Sequence, residues 1–203
     1  MTVFTACGLS HAAPSVPTQN LLVFGDSLSA GYGIRPQDAW PALLGERLQK
    51  QGSDYKVVNV SISGETTAGG RARLAQALEQ HRPTLMVLAL GANDGLRGLA
   101  VTQMKDNLRA MIEMARRKGA KTLLVGMRLP PNYGPYADQF SRAFADVSKE
   151  SGVPALPFLL ESIAAEPRWF QTDGLHPTRE AQPKVLDTVW HALQPLLARS
   201  SRQ

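Results

Sequence analysis

Only one cysteine, Cys7, occurs in the 203 residues, which excludes a disulfide framework and a zinc site built from several thiolates. Stability must therefore come from packing. Aromatic residues are sparse, and no basic stripe with interleaved aromatics accompanies the formal charge of +5. That excess reads as a solvated surface rather than a nucleic-acid face. Its densest cluster, Arg116-Arg117-Lys118, falls at a predicted helix end, where cations suit the helix dipole. Long apolar runs are missing too: the stretch Leu85 to Leu90 is far short of the roughly 20 residues that span a bilayer, so no transmembrane helix is expected. What remains is a globular composition, 43% hydrophobic and 19% charged. Its length fits one domain that buries about 70% of its unfolded surface.

Met1 to Asn20 carries no charge, and an apolar first half leads to Ser10-His11-Ala12. Small residues bracketing His11 resemble an export cleavage site, although the basic n-region of a signal peptide is missing, the first basic residue being Arg35. We read 1–20 as a truncated signal peptide or a disordered tail, and 21–203 as a single domain acting in the periplasm or outside the cell. A lipoprotein signal ending at Cys7 fits less well because Phe4 stands where such signals carry Leu.

From Leu21 onward, short apolar runs alternate with amphipathic stretches. The runs Leu21–Phe24, Lys56–Val60, Thr84–Leu90, Thr122–Met127 and Val153–Phe158 are continuous, as strands covered on both faces should be. Helices are predicted over Pro36–Gln51, Thr66–Gln80, Thr102–Lys118, Pro135–Ser151 and from Pro177 to about 198. Strands alternating with helices imply right-handed βαβ units, hence a three-layer α/β/α sandwich around a five-stranded parallel sheet.

Ligands of such sheets bind beyond the carboxyl ends of the strands, and four strand ends carry unusual sequence. Ser27 follows the first strand among small residues in Gly25-Asp26-Ser27-Leu28, open to a reacting carbonyl. A serine nucleophile needs a base within hydrogen-bond reach. His176 is the best candidate among the four histidines, with Asp173 three residues earlier to hold its tautomer and stabilise the imidazolium. For a developing oxyanion, the backbone N–H groups of Ser27 and Gly64 and the side-chain amide of Asn93 offer three donors. Gly64 alone reads equally as a turn glycine and Asn93 as a helix cap; their joint placement at strand rims is what carries the reading. Asp26 and Asp94 neighbour these donors and are expected to organise loop hydrogen bonds rather than hold a metal.

Gly25-Asp26-Ser27-Leu28, Gly64, Gly91-Ala92-Asn93-Asp94 and Asp173-Gly174-Leu175-His176 resemble, in order, the four motif blocks of the SGNH, or GDSL-type, hydrolase family. Ala39–Leu44, Asn93–Gly98, Arg128–Gly134 and Asp173–Pro183 extend the similarity to its bacterial periplasmic thioesterase, lysophospholipase and arylesterase members, over about Leu21 to Leu197. The resemblance implies a flavodoxin-like fold, with Ser27 as nucleophile, Asp173 and His176 completing the triad, and Ser27, Gly64 and Asn93 as the oxyanion hole. It implies small-molecule acyl ester or thioester substrates, including aryl esters, acyl-CoA and lysophospholipids, with no metal, no cofactor and no nucleic-acid partner. A monomer is expected. For the acyl chain we look to Gly95, Leu96 and Arg97 after the third strand, to Arg128, Leu129, Pro130, Pro131, Tyr133 and Tyr136 after the fourth, and to Leu175. A carbohydrate O-acetylesterase on the same scaffold is the main alternative. A phosphate-binding loop over Gly25–Gly33 lacks the required glycine spacing, and an α/β-hydrolase elbow fails because Ser29 occupies the last glycine of G-x-S-x-G.

Overall fold

The computed structural model of the protein describes residues 19–197. Cys7 and most of the expected export segment lie outside them. All five strands are parallel: β1 (Gln19–Gly25), β2 (Tyr55–Asn59), β3 (Leu85–Ala89), β4 (Lys121–Val125) and β5 (Ala155–Leu156), in the order β2-β1-β3-β4-β5. Helices α1 (Ser27–Ala30), α2 (Trp40–Lys50), α3 (Thr67–His81), α4 (Ala92–Leu96), α5 (Val101–Arg117), α6 (Pro135–Ser151) and α7 (Gln182–Leu197) fill the connections.

Alternation along the strands builds two cores. Leu21, Val23, Leu85, Val87, Leu123 and Val125 face Trp40, Leu44 and Leu48 of α2 and Val185, Val189 and Leu193 of α7. Leu22, Phe24, Met86, Leu88 and Leu124 face Leu74 and Leu78 of α3, Leu108 and Met111 of α5, and Phe140 and Phe144 of α6. Every one of these side chains is fully buried, which is why the strands read as unbroken apolar runs. Met104 and Met111 fill this second core.

Several boundaries differ from the sequence reading, each for a local reason. β1 begins two residues early because Gln19 and Asn20 pair with Tyr55 and Lys56. β5 shrinks to two residues because Pro154 and Pro157 flank it and have no N–H to donate to a ladder. The helix expected from Pro36 is a 3₁₀ turn, Pro36–Asp38; Ala39 is extended, ψ 150°, and α2 starts afresh at Trp40, because Pro41 has no N–H for an interior helical bond and suits only a first turn. Likewise Pro177 opens no α-helix; a 3₁₀ turn over Arg179–Ala181 precedes α7, whose second residue is Pro183. The expected basic cluster is ion-paired at the surface: Arg116 with Glu113 at 2.9 Å, and Lys118 with Glu79. Among the described residues no helix is long and apolar enough to cross a membrane.

The chain passes from β1 out to β2 and then back across to β3. The carboxyl ends of β1 and β3 therefore flank the switch point, where an open parallel sheet leaves a crevice.

Candidate active site

Asp26, following β1, is 1% exposed and its Oδ1 accepts the Leu28 N–H at 3.1 Å, capping α1. This starts α1 at Ser27, whose own N–H sits in a first turn where helices have no internal acceptor. On the far rim, a hairpin-like loop from Trp169 to Thr178 is pinned by Thr178 N–H to Trp169 O and Gln171 N–H to His176 O, both at 2.8 Å. It projects Asp173 and His176. His176 Nε2 lies 2.9 Å from Ser27 Oγ, and Nδ1 lies 2.7 Å from Asp173 Oδ2. Because a carboxylate only accepts, the proton belongs on Nδ1, leaving Nε2 to accept from the Ser27 hydroxyl. Asp173 Oδ1 accepts the N–H groups of His176 at 3.0 Å and Leu175 at 2.9 Å. Those backbone bonds first, and the imidazole after them, hold the carboxyl down at about 2. The Tyr32 ring lies against the imidazole, centroids 4.4 Å apart.

The β2–α3 loop turns at Ile62–Glu65, closed by Glu65 N–H to Ile62 O at 3.2 Å. Gly64 has φ +79°, a conformation that side-chain-bearing residues resist. Its N–H has no acceptor among the described residues. Asn93 in α4 gives one amide N–H to Glu65 O at 3.0 Å, while Asp26 Oδ2 stands at 3.5 Å, the limit of a bond. Asp94, 4% exposed, accepts from the Thr67 N–H at 2.8 Å and the Thr67 hydroxyl at 2.5 Å, locking α4 to α3. Asp26 and Asp94 thus serve loop hydrogen bonds. Burial, seconded by the charge of Asp94, pushes the Asp26 carboxyl up to about 7. No group of three or more His, Cys, Asp or Glu residues that could hold a metal occurs among the described residues.

Ser27, Gly64, Asn93 and His176 open onto one cavity of about 580 Å³, within the usual range of small-molecule sites. Leu96, Arg128, Leu129, Pro130 and Leu175 line it, as the sequence suggested. Gly95, Arg97, Tyr133 and Tyr136 do not. Gly95 is packed behind the wall, so close that a Cβ there would stand 2.6 Å from Phe140 and 3.0 Å from Leu129. Tyr133 turns its hydroxyl to Leu96 O at 3.3 Å, tethering the wall from outside. Sequence reasoning missed Leu28, Tyr32, Met127, Phe158, Leu160, Ala164 and Phe170, which supply much of the apolar lining. Arg128 bridges across, 3.1 Å from Glu161 and over the Phe158 ring.

A serine hydroxyl, a histidine oriented by a carboxylate, and amide donors from Gly64 and Asn93 thus face one apolar cavity, and the sequence model of the "GDSL-like Lipase/Acylhydrolase family" matches residues 23–182. The chain belongs to that family. This hydrolase is 49% identical over 180 residues to the esterase TesA of Pseudomonas aeruginosa, an alignment covering 88% of this chain and 90% of the relative. It is 45% identical over 182 residues to "Thioesterase 1/protease 1/lysophospholipase L1" of Escherichia coli K12, covering 89% and 86%. Among solved structures, the psychrotrophic esterase EstA from Pseudoalteromonas sp., inhibited by monoethylphosphonate, matches with a TM-score of 0.85 at 38% identity, covering 89% of this chain and 99% of that one. The GDSL hydrolase described here is thus a serine-hydrolase-family enzyme by sequence and by fold.

Proposed function

We propose that the protein is a serine esterase of the periplasm or cell exterior that hydrolyses acyl esters and thioesters through an acyl-Ser27 intermediate. The observation that carries this is the 2.9 Å approach of Ser27 Oγ to His176 Nε2 at the mouth of an apolar cavity. Ser27 Oγ attacks the substrate carbonyl while its proton passes to Nε2. The oxyanion receives the N–H groups of Ser27 and Gly64 and the Asn93 amide, preorganised donors that act where charge develops. Collapse breaks the acyl C–O or C–S bond, and His176 returns the proton to the leaving oxygen or sulfur. Water then attacks the acyl-enzyme with His176 again as base. Asp173, held at about 2, stays ionised throughout and stabilises the imidazolium. Every group needed comes from one chain, so the reading requires only a monomer.

The acyl chain is assigned to the cavity walls of Leu28, Met127, Phe158, Leu160 and Phe170, an apolar surface that suits hydrocarbon better than a sugar. The relatives' names as esterase and as thioesterase/lysophospholipase support ester, thioester and lysophospholipid substrates over acetylated carbohydrate. Turnover of aryl esters, acyl-CoA, lysophospholipid and acetylated xylo-oligosaccharide by the purified enzyme tests this, with Ser27→Ala as control. We expect aryl and acyl substrates to be cleaved and Ser27→Ala to lose on the order of 10⁶ in kcat. Activity confined to the acetylated sugar, or surviving in Ser27→Ala, overturns the proposal.

A further inference from the structure

Gly64 is useful as an oxyanion donor only if its N–H stays aimed into the cavity, and a glycine at positive φ has the backbone freedom to leave that pose. The restraint comes from α4. Asn93 Nδ2 donates to Glu65 O at 3.0 Å, and Arg97, the residue that caps the carboxyl end of α4, donates from Nη2 to Gly64 O at 3.0 Å. Two consecutive carbonyls of the turn are thus gripped from one side. Arg97 is exposed yet forms no ion pair with any described residue; its described side-chain bond is to this main-chain oxygen. A Cβ built on Gly64 would lie 3.9 Å from Nη2, so the guanidinium also places positive charge beside this residue, on the peptide that follows the donor N–H.

We propose that Arg97 is a positioning residue of the oxyanion hole, fixing the Gly64 turn and biasing its potential toward negative charge. The proposal rests on the serine-esterase reading above. Arg97 acts through Gly64 and touches no reacting atom, so its contribution belongs to the transition state and to the rate constant rather than to substrate binding. It should therefore hold for neutral and phosphate-bearing substrates alike, unlike a cation that recognises a leaving group.

The test is steady-state kinetics of Arg97→Met, Arg97→Lys and Arg97→Ala on a neutral aryl ester and on acyl-CoA. Thermal unfolding and rate of inactivation by an alkylphosphonate ester are measured alongside. For Arg97→Met we expect kcat to fall at least tenfold on both substrates, KM to change less than twofold, inactivation to slow in parallel, and the melting point to be unchanged. Arg97→Lys should retain more activity than Arg97→Met, and millimolar guanidinium ion should restore part of the rate of Arg97→Ala. Wild-type kcat in Arg97→Met overturns the proposal, and so does a rise in KM on acyl-CoA alone, which makes Arg97 a leaving-group contact. If Ser27→Ala keeps activity or the wild type resists the phosphonate, the underlying esterase reading has failed instead.

Discussion

Replacing Asp26 with asparagine should make this enzyme more stable at alkaline pH and leave it little changed in mild acid. The carboxyl is 1% exposed, and its environment raises it from 3.8 to about 7. In unfolded chain it ionises near 3.8; in the fold it keeps its proton until about pH 7. The folded state thus binds the extra proton, and by linkage the stability from this group is fully present below about pH 4, falls as pH rises, and is gone above about 7. A shift of about 3 units at 1.36 kcal/mol each corresponds to a loss of ~4 kcal/mol. The substituted side chain cannot ionise but still accepts the Leu28 N–H through its carbonyl. Its NH₂ group meets the Asn93 amide where Asp26 Oδ2 stood at 3.5 Å, a weak contact whose loss costs ~1 kcal/mol. The net gain at pH 8 is therefore ~3 kcal/mol, with a melting-point rise of roughly 6–12 °C for a domain of this size. Urea unfolding of wild type and Asp26→Asn at pH 5, 6, 7 and 8 isolates the difference from all other titrating groups. Parallel curves across that range would refute the reasoning.

Two further outcomes follow from the site geometry. Asn93→Ala removes the proposed oxyanion donor and the bond that holds Glu65 O, and should lower kcat by about 10²–10³ with little change in KM; a pure KM effect in steady-state assays would move Asn93 to ground-state binding. Ala164→Phe places a ring in the acyl cavity and should shift the preference of kcat/KM among p-nitrophenyl esters toward shorter chains, each methylene excluded being worth ~1–3 kcal/mol. An unchanged chain-length profile would show that the acyl group lies elsewhere.

The central strands were legible because burial on both faces leaves the runs Leu21–Phe24, Leu85–Ala89 and Leu123–Val125 without a polar residue, and the loops were legible because chemistry concentrates at strand ends. Residues that act through a side chain close to their own motif, such as Ser27, Asp173 and His176, stood out for that reason. Apart from the start of β1, where polar Gln19 and Asn20 join the ladder through their backbone, the boundaries that slipped involve prolines, Pro41, Pro154 and Pro157, whose missing N–H ends or delays an element without altering the apolar pattern around it. Most of the cavity wall was hidden for a different reason. Leu160, Ala164 and Phe170 sit in a run of turns between β5 and α7 that has neither strand nor helix period, so no pattern in the sequence marks which side chains converge. Arg97 and Gly64 were equally opaque as a pair, because a side chain bonded to a backbone oxygen 33 positions away leaves no compositional trace.

The separation of the nucleophile from its base along the chain also governs when activity can arise. Ser27 and His176 are 149 positions apart, and the main chain at Trp40 is tied to the start of α7 by Gln182, 142 positions on, at 3.0 Å. The proposed oxyanion donors and nucleophile all belong to the first half of the chain, whereas the proposed base arrives with the loop before α7. Contacts of such long range are the slow ones to close. During refolding, esterase turnover is therefore expected to recover no earlier than the docking of the carboxyl-terminal segment, which makes activity a readout for that event.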